Sequence, residues 1–280
     1  MKKLASAVQI IRPVNVLITF FTIFVAGVIC SKGGFLWMNI LFASLSGSLA
    51  ASAGNVINDI IDIEIDRINR PKRPLPSGKM TKKEAFFLYG FFNLAGLVLT
   101  FFINFPAFVI YILSVIAIFL YSYRFKGIPL VGNFVVGVLT ALAFVFGGAA
   151  AENYSLTIIP AFFAFLVNFI REIIKDMEDI EGDSRNRILT FPQKYGFKRS
   201  IQLVGFLTIF LMAFTFVPFY MHIYRIEYFI LIMNGVNLFF IFFLKLLLRP
   251  QAGRLRLSFM SNLLKAAMIL GLIAIYLGNK

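Results

Sequence analysis

Runs of apolar residues long enough to cross a lipid bilayer occupy most of this chain. A transmembrane helix needs about 20 predominantly apolar residues, and 60% of the 280 residues are hydrophobic while 14% are charged. This composition is typical of a polytopic all-α membrane protein and leaves no segment for a separate soluble domain. Nine transmembrane helices are predicted, at residues 14–30, 36–57, 85–104, 106–122, 130–150, 155–174, 202–220, 227–248 and 258–278.

Basic residues are distributed unevenly between the connections of these nine runs. With the N-terminus inside, 23 of the 27 Lys and Arg residues fall on the cytoplasmic side, and three (Lys32, Arg225 and Lys280) fall outside. Positive charge concentrates on the cytoplasmic side of membrane proteins. The sequence therefore predicts a multi-pass protein of the cell membrane with a cytoplasmic N-terminus. Orientation also accounts for the net charge of +14, so nucleic acid is not an expected partner.

The first of two acidic clusters stands at the predicted cytoplasmic end of the second run, in residues 55–79, which we call motif 1. On a helix at 100° per residue, three aspartates fall within an arc of roughly 60°: Asp59, Asp62 and Asp66. Asn55 shares that arc and Asn58 borders it, whereas Glu64 points the other way. This face offers several anionic oxygens to one side of the helix.

The same pattern returns 117 residues later, in residues 171–183, which we call motif 2. Its aspartates repeat the spacing of motif 1: Asp176, Asp179 and Asp183. Glu172 and Lys175 take the places of Asn55 and Asn58, and Asp183, which follows Gly182, is expected beyond the helix end. Because four predicted helices separate the motifs, the chain is predicted to contain two four-helix repeats plus a ninth helix. Sites often lie at the interface of such repeats, so we expect the two acidic faces to look at each other.

Carboxylates crowded on one face need cations, since their charges otherwise repel. Hard divalent ions such as Mg²⁺ take oxygen ligands and also bind phosphates, which makes Mg²⁺ the expected cofactor. The single cysteine, Cys30, excludes a disulfide within the chain, and together with the single histidine, His222, it gives no zinc site.

Three stretches resemble the UbiA superfamily of intramembrane prenyltransferases. Residues 58–66 have its NDxxDxxxD signature, residues 176–183 stand where that family carries a second aspartate-rich motif, and residues 121–127 (YSYRFKG) match its tyrosine-rich segment. The resemblance implies a UbiA-type helical bundle with a central cavity, formed by a single transmembrane prenyltransferase domain over residues 1–280. It also implies that Mg²⁺ held by both motifs binds a prenyl diphosphate, whose prenyl group passes to an acceptor.

Within that family, residues 66–78 and 171–183 look like the archaeal ether-lipid branch. That branch moves a geranylgeranyl group from geranylgeranyl diphosphate to geranylgeranylglyceryl phosphate, a lipid-like acceptor. Similar basic loops occur in the chlorophyll and quinone branches, so an aromatic acceptor from a quinone or tetrapyrrole pathway remains the alternative.

The resemblance and the charge pattern assign roles to individual residues. Six aspartates are expected to hold the metal and to be catalytic: Asp59, Asp62, Asp66, Asp176, Asp179 and Asp183. Eight residues are expected to contact substrate: Arg12, Asn15, Asn58, Arg70, Arg73, Tyr123, Lys126 and Lys175. Four of these are cations for the diphosphate, whereas Arg12 and Asn15 are placed near the acceptor headgroup.

Two other classes of membrane protein make different predictions. A divalent-cation carrier tends to place its acids near the bilayer midplane on broken helices, whereas these acids stand at helix ends beside basic loops. A membrane scaffold has no need for two matched aspartate faces. Membrane lipid is the expected surrounding, and no obligatory protein partner is indicated.

Overall fold

The computed structural model describes residues 2–31, 36–185, 189–249 and 253–279, and within these ranges the chain is helical without a β-strand. Lys32 and Lys280, two of the three basic residues predicted outside, lie beyond the described residues. The helices, in chain order, are α1 Lys2–Ile11, α2 Pro13–Cys30, α3 Trp37–Ile61, α4 Ile63–Asn69, α5 Lys82–Thr100, α6 Phe105–Tyr123, α7 Val131–Ala150, α8 Ile158–Glu178, α9 Ile180–Arg185, α10 Phe191–Phe214, α11 Val217–Tyr220, α12 Ile226–Leu231, α13 Asn237–Leu247 and α14 Arg254–Gly278. A π-helical turn, Ile232–Val236, joins α12 to α13.

Local signals in the sequence explain where several helices begin. Thr81 and Glu84 form a reciprocal capping box at the start of α5, which satisfies backbone N–H groups that a helix leaves free. Asn104 caps α6 by accepting a hydrogen bond from the Ala107 amide at 2.9 Å. Proline occupies the first turn of α2, α6 and α10, where a missing N–H costs nothing.

Seven helical segments in the described part of the chain are long and apolar enough to span a membrane. They are Pro13–Cys30, Trp37–Ile61, Phe105–Tyr123, Val131–Ala150, Phe191–Tyr220, Ile226–Leu247 and Arg254–Gly278. The predicted runs 85–104 and 155–174 correspond to α5 and α8, which are not among the seven because charged residues fill one end of each helix. The all-helical multi-pass membrane fold is confirmed. The count of nine spans and the two-repeat arrangement stay predictions.

The chain divides into two compact units. The first comprises Met1–Lys126, Leu142–Ile158 and Arg185–Arg187. A buried cluster of Ile23, Ile40, Ala43 and Tyr111 with their neighbours forms one part of its core. A second cluster lies beside motif 1 and joins α1, α3, α4 and the loop before α5; its members are Ile10, Val56, Ile57, Ile60, Ile63, Leu75, Met80 and Ala85.

The second unit comprises Gly127–Ala141, Ile159–Ser184 and Ile188–Lys280. Its largest fully buried side chains come from α8, α10, α12 and α13: Ile170, Ile173, Ile174, Met177, Leu211, Tyr228, Phe240, Phe243 and Leu247. The Tyr228 hydroxyl donates to the Thr215 carbonyl oxygen at 3.0 Å, so the polar end of this buried ring is satisfied. Motif 2 belongs to this unit and motif 1 to the first.

Candidate active site

The three aspartates of motif 1 are buried around a break at the end of α3. Asp59 lies in the last turn of α3, and Asp66 lies on α4. Asp62 separates the two helices with φ −87° and ψ 10°, a sparsely populated backbone region in which many active-site residues sit. The three residues Asp59, Asp62 and Asp66 are 1%, 8% and 3% exposed. Buried charges of this kind require partners.

Two arginines supply positive charge to Asp59. Arg12 forms an ion pair with Asp59 and donates from Nη1 to Asn55 Oδ1 at 3.1 Å. Arg73 Nη1 lies 3.0 Å from Asp59 Oδ1 and also pairs with Asp66. The single guanidinium of Arg73 therefore bridges two carboxylates, one on α3 and one on α4.

The backbone holds Arg12 in an unusual conformation. Its φ of 56° and ψ of 71° place it in the left-handed region, which costs a side-chain-bearing residue about 1–2 kcal/mol. Asn55 Nδ2 donates to the Ile11 carbonyl at 2.8 Å. Helix α3 therefore holds both the backbone just before Arg12, through Asn55, and the Arg12 guanidinium, through Asp59. The sharp turn between α1 and α2 aims Arg12 at motif 1.

Arg73 is positioned by a loop that is fixed to the core. Leu75 and Met80, on the loop between α4 and α5, are 7% and 8% exposed. Burial raises the pKa of the Asp66 carboxyl above its ordinary value, and the Arg73 charge offsets only part of that rise. Burial lowers the pKa of Arg73 below its ordinary value, and the positive charges of Arg12 and Arg70 lower it further. The role of Arg70 as a cation for the diphosphate stays a prediction.

The end of α6 supplies two further contacts to motif 1. Lys126 forms an ion pair with Asp62. Ser122, which is buried, forms a hydrogen bond with the Asn58 side chain. Each aspartate of motif 1 consequently faces at least one basic group, and three carboxylates meet three cations from α1–α2, the Arg73 loop and the segment after α6.

Three residues near motif 1 lie apart from this network. Tyr123 is 72% exposed and stacks on Phe119 with ring centroids 5.9 Å apart. Asn15 is half-buried one turn into α2, and its side chain forms no hydrogen bond within the described ranges. Glu64 is exposed and pairs with Arg67 at 2.7 Å, which confirms that it points away from the aspartate face.

Motif 2 contains the same break at its middle aspartate. The amide of Asp179, between α8 and α9, donates to the Lys175 carbonyl at 2.9 Å, and the amide of Asp183 donates to the Asp179 carbonyl at 3.1 Å. Asp183 lies beyond the end of α8, which stops at Glu178, and stands on the separate short helix α9 at 3% exposure.

The side chains of motif 2 have a different set of partners. Asn133, at the start of α7, donates to Asp176 Oδ2 at 2.7 Å. Glu172 accepts from Lys175 at 2.9 Å and from Arg171 at 3.0 Å. Arg254, at the start of α14, lies 3.6 Å from Asp179. Arg171 and Lys175 thus neutralise Glu172, and Arg254 lies beside Asp179.

Comparison with known proteins identifies the family. The UbiA prenyltransferase family matches residues 19–269, which is most of the chain and includes both motifs. The chain belongs to the UbiA prenyltransferase family.

Relatives of this UbiA protein carry a more specific name. It is 35% identical over 271 residues to the digeranylgeranylglyceryl phosphate synthase of Methanosphaera stadtmanae, with 97% of this chain and 98% of the relative covered. The enzyme of the same name from Methanococcus aeolicus is 34% identical over 278 residues, covering 99% and 98% of the two chains.

Solved structures have the same fold. A digeranylgeranylglyceryl phosphate synthase structure superposes with a TM-score of 0.77 at 35% identity, covering 100% of this UbiA chain and 99% of that one. A UbiA homologue from Archaeoglobus fulgidus bound to GPP and Mg²⁺ has a TM-score of 0.69 at 20% identity, covering 96% and 99%. The second likeness is one of fold.

The donor chemistry of this UbiA protein suits Mg²⁺, because every predicted ligand is a carboxylate oxygen. In the described part of the chain, however, no three His, Cys, Asp or Glu side chains group closely enough to hold a metal ion. The basic groups of Arg12, Arg73 and Lys126 stand against the motif 1 carboxylates instead. The aspartates therefore have the ligand chemistry that Mg²⁺ prefers. The side chains of Arg12, Arg73 and Lys126 show that positive charge is favoured beside the carboxylates of motif 1.

Three contacts of this UbiA site were missed in the sequence: Ser122 with Asn58, Asn133 with Asp176, and Arg254 with Asp179. Each joins residues far apart in the chain, and Ser or Asn in a membrane helix commonly bonds neighbouring helices. For Ser122 a usable signal existed, because it lies within the tyrosine-rich segment, residues 121–127. For Asn133 and Arg254 the sequence offers none.

Proposed function

We propose that this protein transfers a geranylgeranyl group from geranylgeranyl diphosphate to geranylgeranylglyceryl phosphate, which gives digeranylgeranylglyceryl phosphate for archaeal ether lipids. The observation that carries the proposal is the 35% identity, over 97% of this chain, to the Methanosphaera stadtmanae enzyme of that name. The burial of three aspartates among three cations supports it, since an anionic substrate and a divalent cation both match such a site.

Six aspartates would hold Mg²⁺ in this proposal: Asp59, Asp62, Asp66, Asp176, Asp179 and Asp183. Mg²⁺, when bound, neutralises the negative charge that develops on the departing diphosphate. Arg12, Arg73, Arg70, Lys126 and Lys175 contribute fixed positive charge for the diphosphate oxygens, and Asn58 adds a neutral oxygen or an N–H donor. Arg12 is reassigned from the acceptor headgroup to the diphosphate, because it is paired with Asp59. Asn15 stays a candidate for contact with the acceptor, and Tyr123 stays a candidate for a hydrogen bond to phosphate or for stacking on the allylic cation.

The reaction breaks the allylic carbon–oxygen bond of the diphosphate and forms an ether bond to the free hydroxyl oxygen of the acceptor. Pyrophosphate leaves with the bonding electron pair. The hydroxyl proton passes to a carboxylate or to the pyrophosphate product. Carbocation-like character at the allylic carbon requires water to be kept out, which apolar helices achieve more readily than a surface loop.

The proposal includes the arrangement in the membrane. In this proposal residues 1–280 form a single prenyltransferase domain with nine spans, as four plus four plus one, and each motif contributes aspartates to Mg²⁺ binding. The N-terminus and the site face the cytoplasm, because the basic residues predicted there far outnumber those predicted outside. Membrane lipid surrounds the protein, and no obligatory protein partner is required.

The decisive experiment offers the purified protein labelled geranylgeranyl diphosphate together with either geranylgeranylglyceryl phosphate or an aromatic acid. A labelled diether phosphate is expected from the first acceptor, and none from the second. Prenylation of the aromatic acid alone would assign the protein to the aromatic branch. Uptake of divalent cations into vesicles without any prenyl transfer would favour a carrier.

The motif residues are tested by substitution. Asp59→Ala and Asp176→Ala should each abolish Mg²⁺-dependent transfer while the protein still elutes as a monodisperse species from size exclusion. Glu64→Ala is the matched control, because Glu64 lies in the same stretch but is exposed and paired with Arg67. Loss of folding in the two aspartate variants would assign those residues a structural role.

A further inference from the structure

Asp176, the first aspartate of motif 2, differs from the three aspartates of motif 1 in its partner. In motif 1, Asp59, Asp62 and Asp66 each pair with an arginine or lysine. Asp176, the first aspartate of motif 2, instead accepts a hydrogen bond from the neutral amide of Asn133 at 2.7 Å. An amide orients a carboxylate without contributing a positive charge of its own, so a bound cation would be the counterion of Asp176.

Packing fixes Asn133 in place. It is buried, at 6% exposure, in the first turn of α7. The next residue, Phe134, makes an edge-to-face contact with Phe165 of α8 at a centroid distance of 5.3 Å. One turn later, Gly137 lies so close to Phe165 that a Cβ there would stand 2.8 Å from its ring. These contacts set the position of α7 against α8, and with it the direction of the Asn133 amide.

We propose that Asn133 is a positioning residue for Mg²⁺ binding by motif 2. Its Nδ2 group holds Asp176 Oδ2 at 2.7 Å, and Oδ1 would then serve as the ligand to Mg²⁺. Groups that orient a metal ligand typically change metal affinity by about 10–100-fold when they are removed. The inference rests on the proposed function, since it requires that Asp176 be a ligand.

The direct test measures Mn²⁺, a paramagnetic substitute for Mg²⁺, by the loss of the free-ion EPR signal on titration into the purified protein. Wild type should bind Mn²⁺. The Mn²⁺ affinity of Asp176→Ala is the reference value for a protein that has lost the motif 2 site. Asn133→Ala should weaken this binding by about 10–100-fold. Asn133→Gln, which keeps an amide donor, should recover part of the affinity.

Two further variants separate positioning from packing. Asn168→Ala removes another buried amide of the same unit, one that bonds the Ala164 carbonyl at 3.2 Å, and it should leave Mn²⁺ affinity unchanged. Asn133→Leu keeps the branched shape and the number of heavy atoms while it removes the amide, so it serves if Asn133→Ala does not fold. It should weaken Mn²⁺ binding as Asn133→Ala does.

Enzyme kinetics give an independent readout. In Asn133→Ala the Mg²⁺ concentration for half-maximal rate should rise, while the rate at saturating Mg²⁺ returns towards that of wild type. A purely structural role would lower the rate at every Mg²⁺ concentration. Wild-type Mn²⁺ affinity in Asn133→Ala and Asn133→Leu would overturn the positioning role alone, whereas a wild type that binds no Mn²⁺ would overturn the proposed function.

Discussion

Lys126 pairs with Asp62, a residue 64 positions earlier in the chain. The contact joins the segment after α6 to the break between α3 and α4. Asp62 is 8% exposed, so Lys126 supplies charge that water cannot. The pair is therefore both a stabilising contact and a ready cation at the point where motif 1 changes helix.

Replacing this lysine tests both roles. Lys126→Met keeps the aliphatic stem and leaves the Asp62 carboxylate without its counterion, so we expect a loss of about 1–3 kcal/mol of stability. We also expect a higher KM for the prenyl diphosphate. Thermal unfolding in detergent and steady-state kinetics measure the two effects. Lys126→Arg should retain most of both, and an unchanged Tm and KM in Lys126→Met would contradict this account.

The bridge from Arg73 to Asp66 should appear as a coupling energy. In a double-mutant cycle of Arg73→Met and Asp66→Asn, the two effects on unfolding free energy should be non-additive by about 1–3 kcal/mol. Glu64 and Arg67 form the control pair, because they are exposed, and their coupling should stay below about 1 kcal/mol. Equal coupling in the two cycles would show that burial of the Arg73 pair adds nothing.

The left-handed backbone of Arg12 predicts an order of stability between two substitutions. Arg12→Ala and Arg12→Gly both remove the guanidinium from Asp59. Glycine adopts a φ of 56° without steric cost, so Arg12→Gly should be more stable than Arg12→Ala by about 1 kcal/mol. Thermal unfolding of both variants measures the difference. Alanine as stable as glycine would mean that the α1–α2 turn relaxes once the arginine is gone.

Gly147 marks a close approach of two helices in the first unit. A Cβ there would lie 2.4 Å from the Ile23 carbonyl oxygen and 2.7 Å from the Ala26 Cβ, so α7 and α2 must separate. Gly147→Ala should therefore cost about 1–3 kcal/mol of stability. Gly90→Ala, where nothing lies within 4 Å, should be neutral or slightly stabilising. A neutral Gly147→Ala would show that the helices shift freely.

Much of the fold could be predicted because its signals are local. Apolar length and charged ends located the helices, and the 100° period placed three aspartates on one face with Glu64 opposite. The breaks at Asp62 and Asp179 were not predicted, since neither is a glycine or proline. Each break coincides with a tertiary contact that a local pattern does not reveal: Lys126 pairs with Asp62, and Arg254 lies near Asp179.

The partners within the site were harder to predict than its aspartates. The basic loop indicated many cations, but which of them reaches a carboxylate depends on tertiary packing. Leu75 and Met80 anchor the loop that places Arg73, and the turn before Pro13 places Arg12. In the sequence, Ser122 and Asn133 look like ordinary polar residues of membrane helices. In the structure, Ser122 bonds Asn58 of motif 1 and Asn133 bonds Asp176 of motif 2.

The break at Asp62 places the aspartates of motif 1 on two helices of very different length. Asp59 is carried by a helix of 25 residues, whereas Asp66 rides on one of seven residues. The short helix leads into the loop anchored by Leu75. Lengthening or shortening that loop should alter the distance between the carboxylates of Asp59 and Asp66 without replacing either aspartate. The radius of the cation that the site accepts should change with that distance. Engineering for larger cations is best begun there.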